Sequence, residues 1–322
     1  MIDLVAERSR FGGLERWLGD ATITDVVVNH GEVWVDRGAG LERVADMTAD
    51  AAWAAIERIL APIGRRLDRA HPAVDARLPD GSRVCAVIPP LAVDGLCLAV
   101  RRFATTPLTL GAFGTPRQAA LLEQLVDDRC NVVVSGATAA GKTSLLAALL
   151  ARVAPTERLV TLEDVAELPV RHPHVVRLET RPRSPDGVEA VELDDLLRIA
   201  LRLRPDRLVV GEVRGTEAAQ LVQALNTGHD GSLATVHANS APDALDRIAT
   251  LVSSAAPSWP AAAIAHHVAR AVDVVVHLAR DAEGRRAVAD IVEVLTPDGA
   301  APRARSLLRP GQRAAPGHRR RR

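Results

Sequence analysis

The chain has 322 residues, 48% of them apolar and 25% charged, with 40 basic and 40 acidic side chains that cancel. That length accommodates two domains with hydrophobic cores, and a net charge of zero excludes the broad positive field of a protein that binds nucleic acid over its whole surface. Only 2% of the residues are aromatic, too few to build a base-stacking platform.

The opening stretch MIDLVAERSRFGGLERWLGD is broken by charges every few residues and does not read as a secretory signal. No run reaches the roughly 18 apolar residues that a membrane-spanning helix requires. The expectation is a cytoplasmic protein that meets a membrane only at its surface, through a partner. Cys85, Cys97 and Cys130 are scattered through apolar runs without metal-ligand spacing, which predicts reduced, buried thiols.

Residues 1–103 read as a small mixed α/β domain. TDVVVNHGEVWVDR holds two β-rich runs around Asn29-His30-Gly31, a hairpin signal. Ala49 to Leu60 predicts an amphipathic helix. RLPDGSRVCAVIPP carries a Pro-Asp-Gly turn into a strand, and LCLAVRRF predicts another strand, ending in Arg101 and Arg102. Residues 104–116, rich in Thr, Pro and Gly, read as a linker.

From 117 to 298 strands and helices alternate, the pattern of a mostly parallel sheet covered on both faces. Strands are expected at CNVVVS, RLVTLE, DRLVVGE and SLATVH, with helices from Gly141, at ELDDLLRIALRL and at GTEAAQLVQAL. Two further helices precede the closing strands VDVVVHL and RAVADIVEV. Residues 299–322, dominated by Pro, Gly, Ala and Arg, predict a disordered, solvated basic tail.

The run Gly136-Ala137-Thr138-Ala139-Ala140-Gly141-Lys142-Thr143 matches GxxxxGK[ST] in full, between an apolar strand and a Leu/Ala helix that includes Ser144. Its glycines let successive backbone N–H groups converge on phosphate oxygens, and the helix N-terminus adds partial positive charge behind them. Thr143 offers a hydroxyl to Mg²⁺. Lys142 is the only lysine in the chain. A compact ammonium suits such a loop better than a planar guanidinium fork, and this position keeps lysine where every other basic residue apart from histidine is arginine.

Phosphoanhydride hydrolysis also needs carboxylates at the C-terminal ends of neighbouring strands. RLVTLED ends in Glu163-Asp164, with Glu167 close behind, and DRLVVGE ends in Glu212. Gly211 stands where an aspartate commonly precedes that glutamate, which leaves Mg²⁺ to Thr143 directly and to Glu212 through water. In NTGHDGSLATVHANS, His229-Asp230-Gly231 forms a turn, and Thr235 and His237 share a strand face near the expected γ-phosphate. No further Cys or His stands at zinc-ligand spacing. Arg198 and Arg202 lie away from the apolar stripe Leu193, Leu196, Leu197, Ala200 and Leu201, with Asp194 to Arg198 an i,i+4 pair. Arg101 and Arg102 read equally as sheet-edge charges.

Together, GATAAGKT, TLEDVAEL, RPDRLVVGEVRGTEA and NTGHDGSLATVHANS resemble, in order and spacing, the Walker A, Asp box, Walker B and His box of the type II/IV secretion (traffic) ATPases. DARLPDGSRVCAVIPPL and LAVRRF extend the resemblance into the first domain. Within the family the chain is most similar to the tight-adherence (Flp) pilus and conjugal-transfer branch. Ala137, Ala139 and Ala140 replace residues that are often Gly or Ser there, and the paired-cysteine zinc motif of some branches is missing.

The resemblance implies a RecA-like domain preceded by a smaller mixed α/β domain, with ATP and Mg²⁺ between the two. It further implies a homo-oligomer of six subunits on the cytoplasmic face of the inner membrane, working on a platform protein of a pilus or secretion system. Glu163 would be the catalytic carboxylate, Glu212 the Mg²⁺-side one and His237 the γ-phosphate sensor, with Arg101 and Arg102 contacting nucleotide. The expected function is ATP hydrolysis that drives pilus assembly or protein secretion. The alternatives are a non-hydrolysing nucleotide-binding regulator, or a nucleic-acid motor, which the charge and aromatic content disfavour.

Overall fold

The computed structural model describes residues 13–38, 40–102, 108–138, 140–181, 189–280 and 284–308. The chain divides into two compact units, residues 1–106 and 107–322.

The first unit carries a short helix α1 (Glu15–Leu18) and six strands: β1 (Asp25–Asn29), β2 (Glu32–Asp36), β3 (Leu41–Asp46), β4 (Ala73–Arg77), β5 (Arg83–Val87) and β6 (Cys97–Arg101). They form an antiparallel sheet in the order β3-β2-β1-β6-β5-β4. His30 and Gly31 both take positive φ, 49° and 88°, as a two-residue primed hairpin turn between right-twisted strands requires. Helix α2 (Ala49–Leu60) is capped by Thr48, whose hydroxyl accepts from the Ala51 amide. Its Ile56, Ile59 and Leu60 pack with Val26, Val28, Val33, Val35, Leu98 and Val100, the inward residues of alternating strands.

That alternation corrects the expectation of three buried thiols. Cys85 falls on the outward face of β5 and is exposed, Cys97 is half-buried at the start of β6, and only Cys130 is enclosed.

The linker reading of residues 104–116 also needs correction. Residues 103–107 lie outside the described ones, but Leu110 and Phe113 are buried in the core of the second unit, Phe113 to 1% exposure. Two large apolar side chains one 3-10 turn apart (Leu110–Phe113) tether this segment to that core. Thr115 then opens helix α3 (Pro116–Asp127) with a capping box to Gln118.

The sheet of the second unit runs β14-β13-β12-β7-β11-β10-β8-β9. The six strands β12 (Val274–Arg280), β7 (Val132–Gly136), β11 (Leu233–His237), β10 (Arg207–Val213), β8 (Leu159–Glu163) and β9 (Val175–Glu179) are parallel. β13 (Arg286–Asp298) and β14 (Ala301–Leu308) are added antiparallel. Val132 and Val134 face the core shared with α3 and helix α4 (Lys142–Leu150). Val133 faces the opposite core, under α5 (Leu193–Arg202), α6 (Glu217–Leu225), α7 (Ala241–Ala255) and α8 (Ala261–Ala271).

β9 and β14 were not among the expected strands. β14 overturns the disordered reading for its part of residues 299–322: it pairs along β13 and buries Leu307 and Leu308 to 4% and 3% exposure. Residues 309–322 lie outside the described ones. On α5, Arg198 pairs with Asp195 at 2.9 Å, whereas Asp194 accepts from the Thr216 hydroxyl, and Leu201 is 38% exposed, outside the buried stripe. No helix among the described residues is long and apolar enough to cross a membrane.

Candidate functional site

β7 is buried along its whole length and delivers Gly136 between two neighbours, His237 at the tip of β11 and Leu278 on β12. A β-carbon on Gly136 would come within 2.8 Å of the Leu278 carbonyl oxygen and 3.0 Å of Ala140 Cβ, so only glycine fits. Gly141, the N-cap of α4, holds φ at 96°, a left-handed turn that leaves the first helical amides pointing out of the helix end. Ala137 and Thr138 are exposed, Ala140 is buried, and Thr143 and Ser144 are half-buried in the first turn; Ala139 lies outside the described residues.

The Lys142 ammonium folds back over this loop, donating to the Gly136 and Ala137 carbonyls at 3.0 and 3.1 Å. Lost hydration lowers its pKa, and the negative charge of Glu212 acts the other way. Lys142 and Glu212 thus feel each other across the mouth of the loop.

Glu163 ends β8 and is 3% exposed. Its Oε1 accepts the backbone amides of Glu167 and Leu168, both at 2.8 Å, while Oε2 is buried without a hydrogen bond. Burial pushes this carboxyl above the usual range; the two amides and Arg177, whose Nη2 is 3.8 Å from Oε2, pull the other way without cancelling the effect. A high proton affinity with one oxygen unsatisfied is what a proton-accepting carboxylate needs. β10 separates β8 from β11, which sets Glu163 beside Gly211 and Glu212 and leaves two strands, β11 and β10, between it and Gly136. Gly211 is explained by that proximity: a β-carbon there would come 2.9 Å from Glu163 Cγ. The Thr235 hydroxyl donates to the Gly211 carbonyl at 2.6 Å, tying β11 to β10 just below the carboxylates.

His237 is exposed beside Gly136, whereas His229 lies beyond the opposite end of β11, its Nδ1 3.0 Å from the Ala224 carbonyl that ends α6. The two histidines and Asp230 therefore do not form a cluster. Arg101 and Arg102 belong to the first unit: Arg101 Nε binds Asp25 at 2.9 Å, and the Arg102 guanidinium donates to the Asp20 carbonyl. Arg198 is exposed and bridged to Asp195, and Arg202 is exposed as well.

Sequence reasoning missed two arginines near Glu163. Arg177 sits on the unread strand β9, and its guanidinium also holds the Ala166 carbonyl at 3.1 Å. Arg214 follows Glu212 by two residues and pairs with Asp164 at 2.6 Å, joining the ends of the two acidic segments. Arg214, two residues past Glu212, was a readable signal; Arg177, on a separate strand fourteen residues past Glu163, was not.

The model of the family described as "Type II/IV secretion system protein" matches residues 7–311. The chain belongs to this family. It is 44% identical over 310 residues to a putative conjugal transfer protein of Mycobacterium tuberculosis, covering 92% of this chain and 88% of the relative. The conjugal transfer protein TrbB of Rhizobium radiobacter is 34% identical over 288 residues, 86% of this chain and 85% of its own. Among solved structures, the pilus retraction motor PilT with bound ADP aligns with a TM-score of 0.63 at 20% identity, covering 89% of this chain and 84% of the other. That likeness shows a shared two-domain α/β fold. For a member of the secretion family, the glycine loop, the two strand-end glutamates and the strand-tip histidine fall in one unit and at one end of its sheet.

Proposed function

We propose that the chain is an ATP-hydrolysing motor subunit of a type IV secretion, conjugation or pilus-assembly machine, and that the loop from Gly136 to Ser144 binds the triphosphate. The observation that carries this reading is the pairing of a glycine-enforced cradle with a half-buried ammonium folded back over it onto the Gly136 and Ala137 carbonyls. Loop amides and the α4 N-terminus supply donors to phosphate oxygens, and Lys142 exchanges its two carbonyl contacts for the phosphates. Thr143 and Glu212 offer the hard oxygen donors that suit Mg²⁺. When bound, Mg²⁺ would neutralise charge on the phosphate oxygens. Glu163 orients and deprotonates the attacking water, and His237 faces the terminal phosphate.

Family membership supports assembly as a ring, with a hexamer the expected form. It also supports work at the cytoplasmic face of the inner membrane on a platform protein. Arg101 and Arg102 are the first unit's candidates for nucleotide contact. The direct test is phosphate release by the purified chain with ATP and Mg²⁺. Lys142→Ala is expected to abolish turnover, and retained activity would overturn the assignment of the loop.

A further inference from the structure

A row of polar side chains crosses four adjacent strands of the second unit. Ser135 on β7 stands beside His277 on β12, His277 beside Asp290 on β13, and Asp290 accepts from the Ser306 hydroxyl on β14 at 2.7 Å. Ser135 Oγ and His277 Nδ1 are 2.9 Å apart. Ser135 is fully enclosed, and His277 and Asp290 are each 9% exposed. Two residues away on the same strands, Val133, Val275 and Val292 sit in the apolar core beneath α7 and α8, so the row interrupts an otherwise apolar face. Polar groups retained at such positions call for an account beyond packing.

His277 is where the row meets the site. Ser135 immediately precedes Gly136. On another side the backbone of Asn239, two residues past His237, and the Asp243 charge in the first turn of α7 act on the ring together with the charge of Asp290. Burial dominates these influences and keeps the ring's pKa below that of an ordinary histidine. A neutral ring with its proton on Nε2 uses Nδ1 to accept the Ser135 hydroxyl. One imidazole thus fastens the strand that feeds the glycine loop, just before the register at which Gly136 lies beside His237.

We propose that His277 is a positioning residue for hydrolysis, holding Gly136 in place through Ser135 at the strand end where it lies beside His237. The inference rests on the proposed ATP site and on His237 facing the terminal phosphate. The loop's own phosphate donors remain when this lock is removed, so the loss belongs to turnover and not to ATP affinity.

The test is steady-state ATP hydrolysis by the full chain carrying His277→Phe, His277→Gln, Ser135→Ala, and Ser135→Ala with His277→Phe, each checked for folding by circular dichroism. We expect His277→Phe to lower kcat by about tenfold with KM changed less than about twofold. Glutamine offers both a donor and an acceptor, and should restore kcat to within about threefold of wild type. Ser135→Ala should cost part of the same loss and add nothing on top of His277→Phe. Unchanged kcat in His277→Phe, a KM that rises in step with the loss, a glutamine no better than phenylalanine, or multiplying losses would each overturn the proposal. If His277→Phe does not fold, Ser135→Ala and His277→Gln decide alone: the first must lose turnover and the second keep it. Activity lost in Lys142→Ala but untouched at His277 removes this inference and leaves the proposed function standing; activity surviving in Lys142→Ala removes the site itself.

Discussion

Glu163 and Gly211 are packed against each other on adjacent strands, so closely that a β-carbon on the glycine would stand 2.9 Å from Glu163 Cγ. The strand end that carries Glu212 is therefore shaped to admit the neighbouring carboxylate. Gly211→Ala should push Glu163 out of its two amide hydrogen bonds. The expected result is a kcat lowered about tenfold or more with ATP affinity retained, measured by steady-state hydrolysis beside nucleotide titration.

Glu163 carries a stability cost with a definite pH dependence. Its folded pKa is raised by burial, so the native state still holds a proton where the unfolded chain, with a pKa of about 4.3, has released it. Stability contributed by this group is present below that value and is lost as pH rises through the folded pKa. Glu163→Gln should therefore melt higher than wild type at pH 7, with the gap closing below about pH 4. The same variant should bind ATP and fail to hydrolyse it. Melting curves across pH, read beside turnover, check both halves.

Arg177 favours the ionised form of Glu163 from 3.8 Å. Removing that charge in Arg177→Leu moves the Glu163 pKa further up. If Glu163 accepts the proton of the attacking water, the acid limb of the kcat profile shifts to higher pH in this variant. A limb that stays in place, with turnover intact, would assign the proton to another group.

Arg207 anchors the far end of β10 from Glu212. It is 2% exposed, forms a forked pair with Glu157 at 2.9 and 2.7 Å, and donates to the Val126 and Gly231 carbonyls. Arg129 binds the same glutamate from a more exposed position. Arg207→Leu strips the half-buried Glu157 carboxylate of its forked partner and should cost about 1.5–3 kcal/mol of unfolding free energy, read from urea denaturation. Turnover per folded molecule should not change, because none of these groups reaches the glycine loop.

Most of the parallel sheet was legible because its strands are short apolar runs closed by glycine, glutamate or histidine, and because periodic helices separate them. β14 escaped because its residues are chosen for an edge. Ala301, Arg303 and Arg305 are exposed, Pro302, Ala304 and Ser306 between them are only half-buried, and Leu307 and Leu308 alone on this strand are fully buried. β9 escaped because its arginine and glutamate mask three apolar residues. At the site, Glu163, Glu212 and His237 could be placed at strand ends, and Lys142 at the start of a helix, from motif and alternation alone. Ser135 and His277 could not be paired, since their contact is made by strand order and their spacing in the chain carries no hint of it. The arginines divide the same way. Arg207 reads as an ordinary surface charge in the sequence and is instead the most enclosed cation described, because β10 begins inside the sheet.

The solitary ε-amine of this chain makes the protein its own reporter. An acylating reagent that seeks primary amines meets a single side chain, Lys142, already inclined to shed its proton by partial burial. A triphosphate in the cradle would cover that nitrogen. The fraction of chains modified on the side chain then counts vacant subunits directly, one per protomer, in whatever assembly the protein forms.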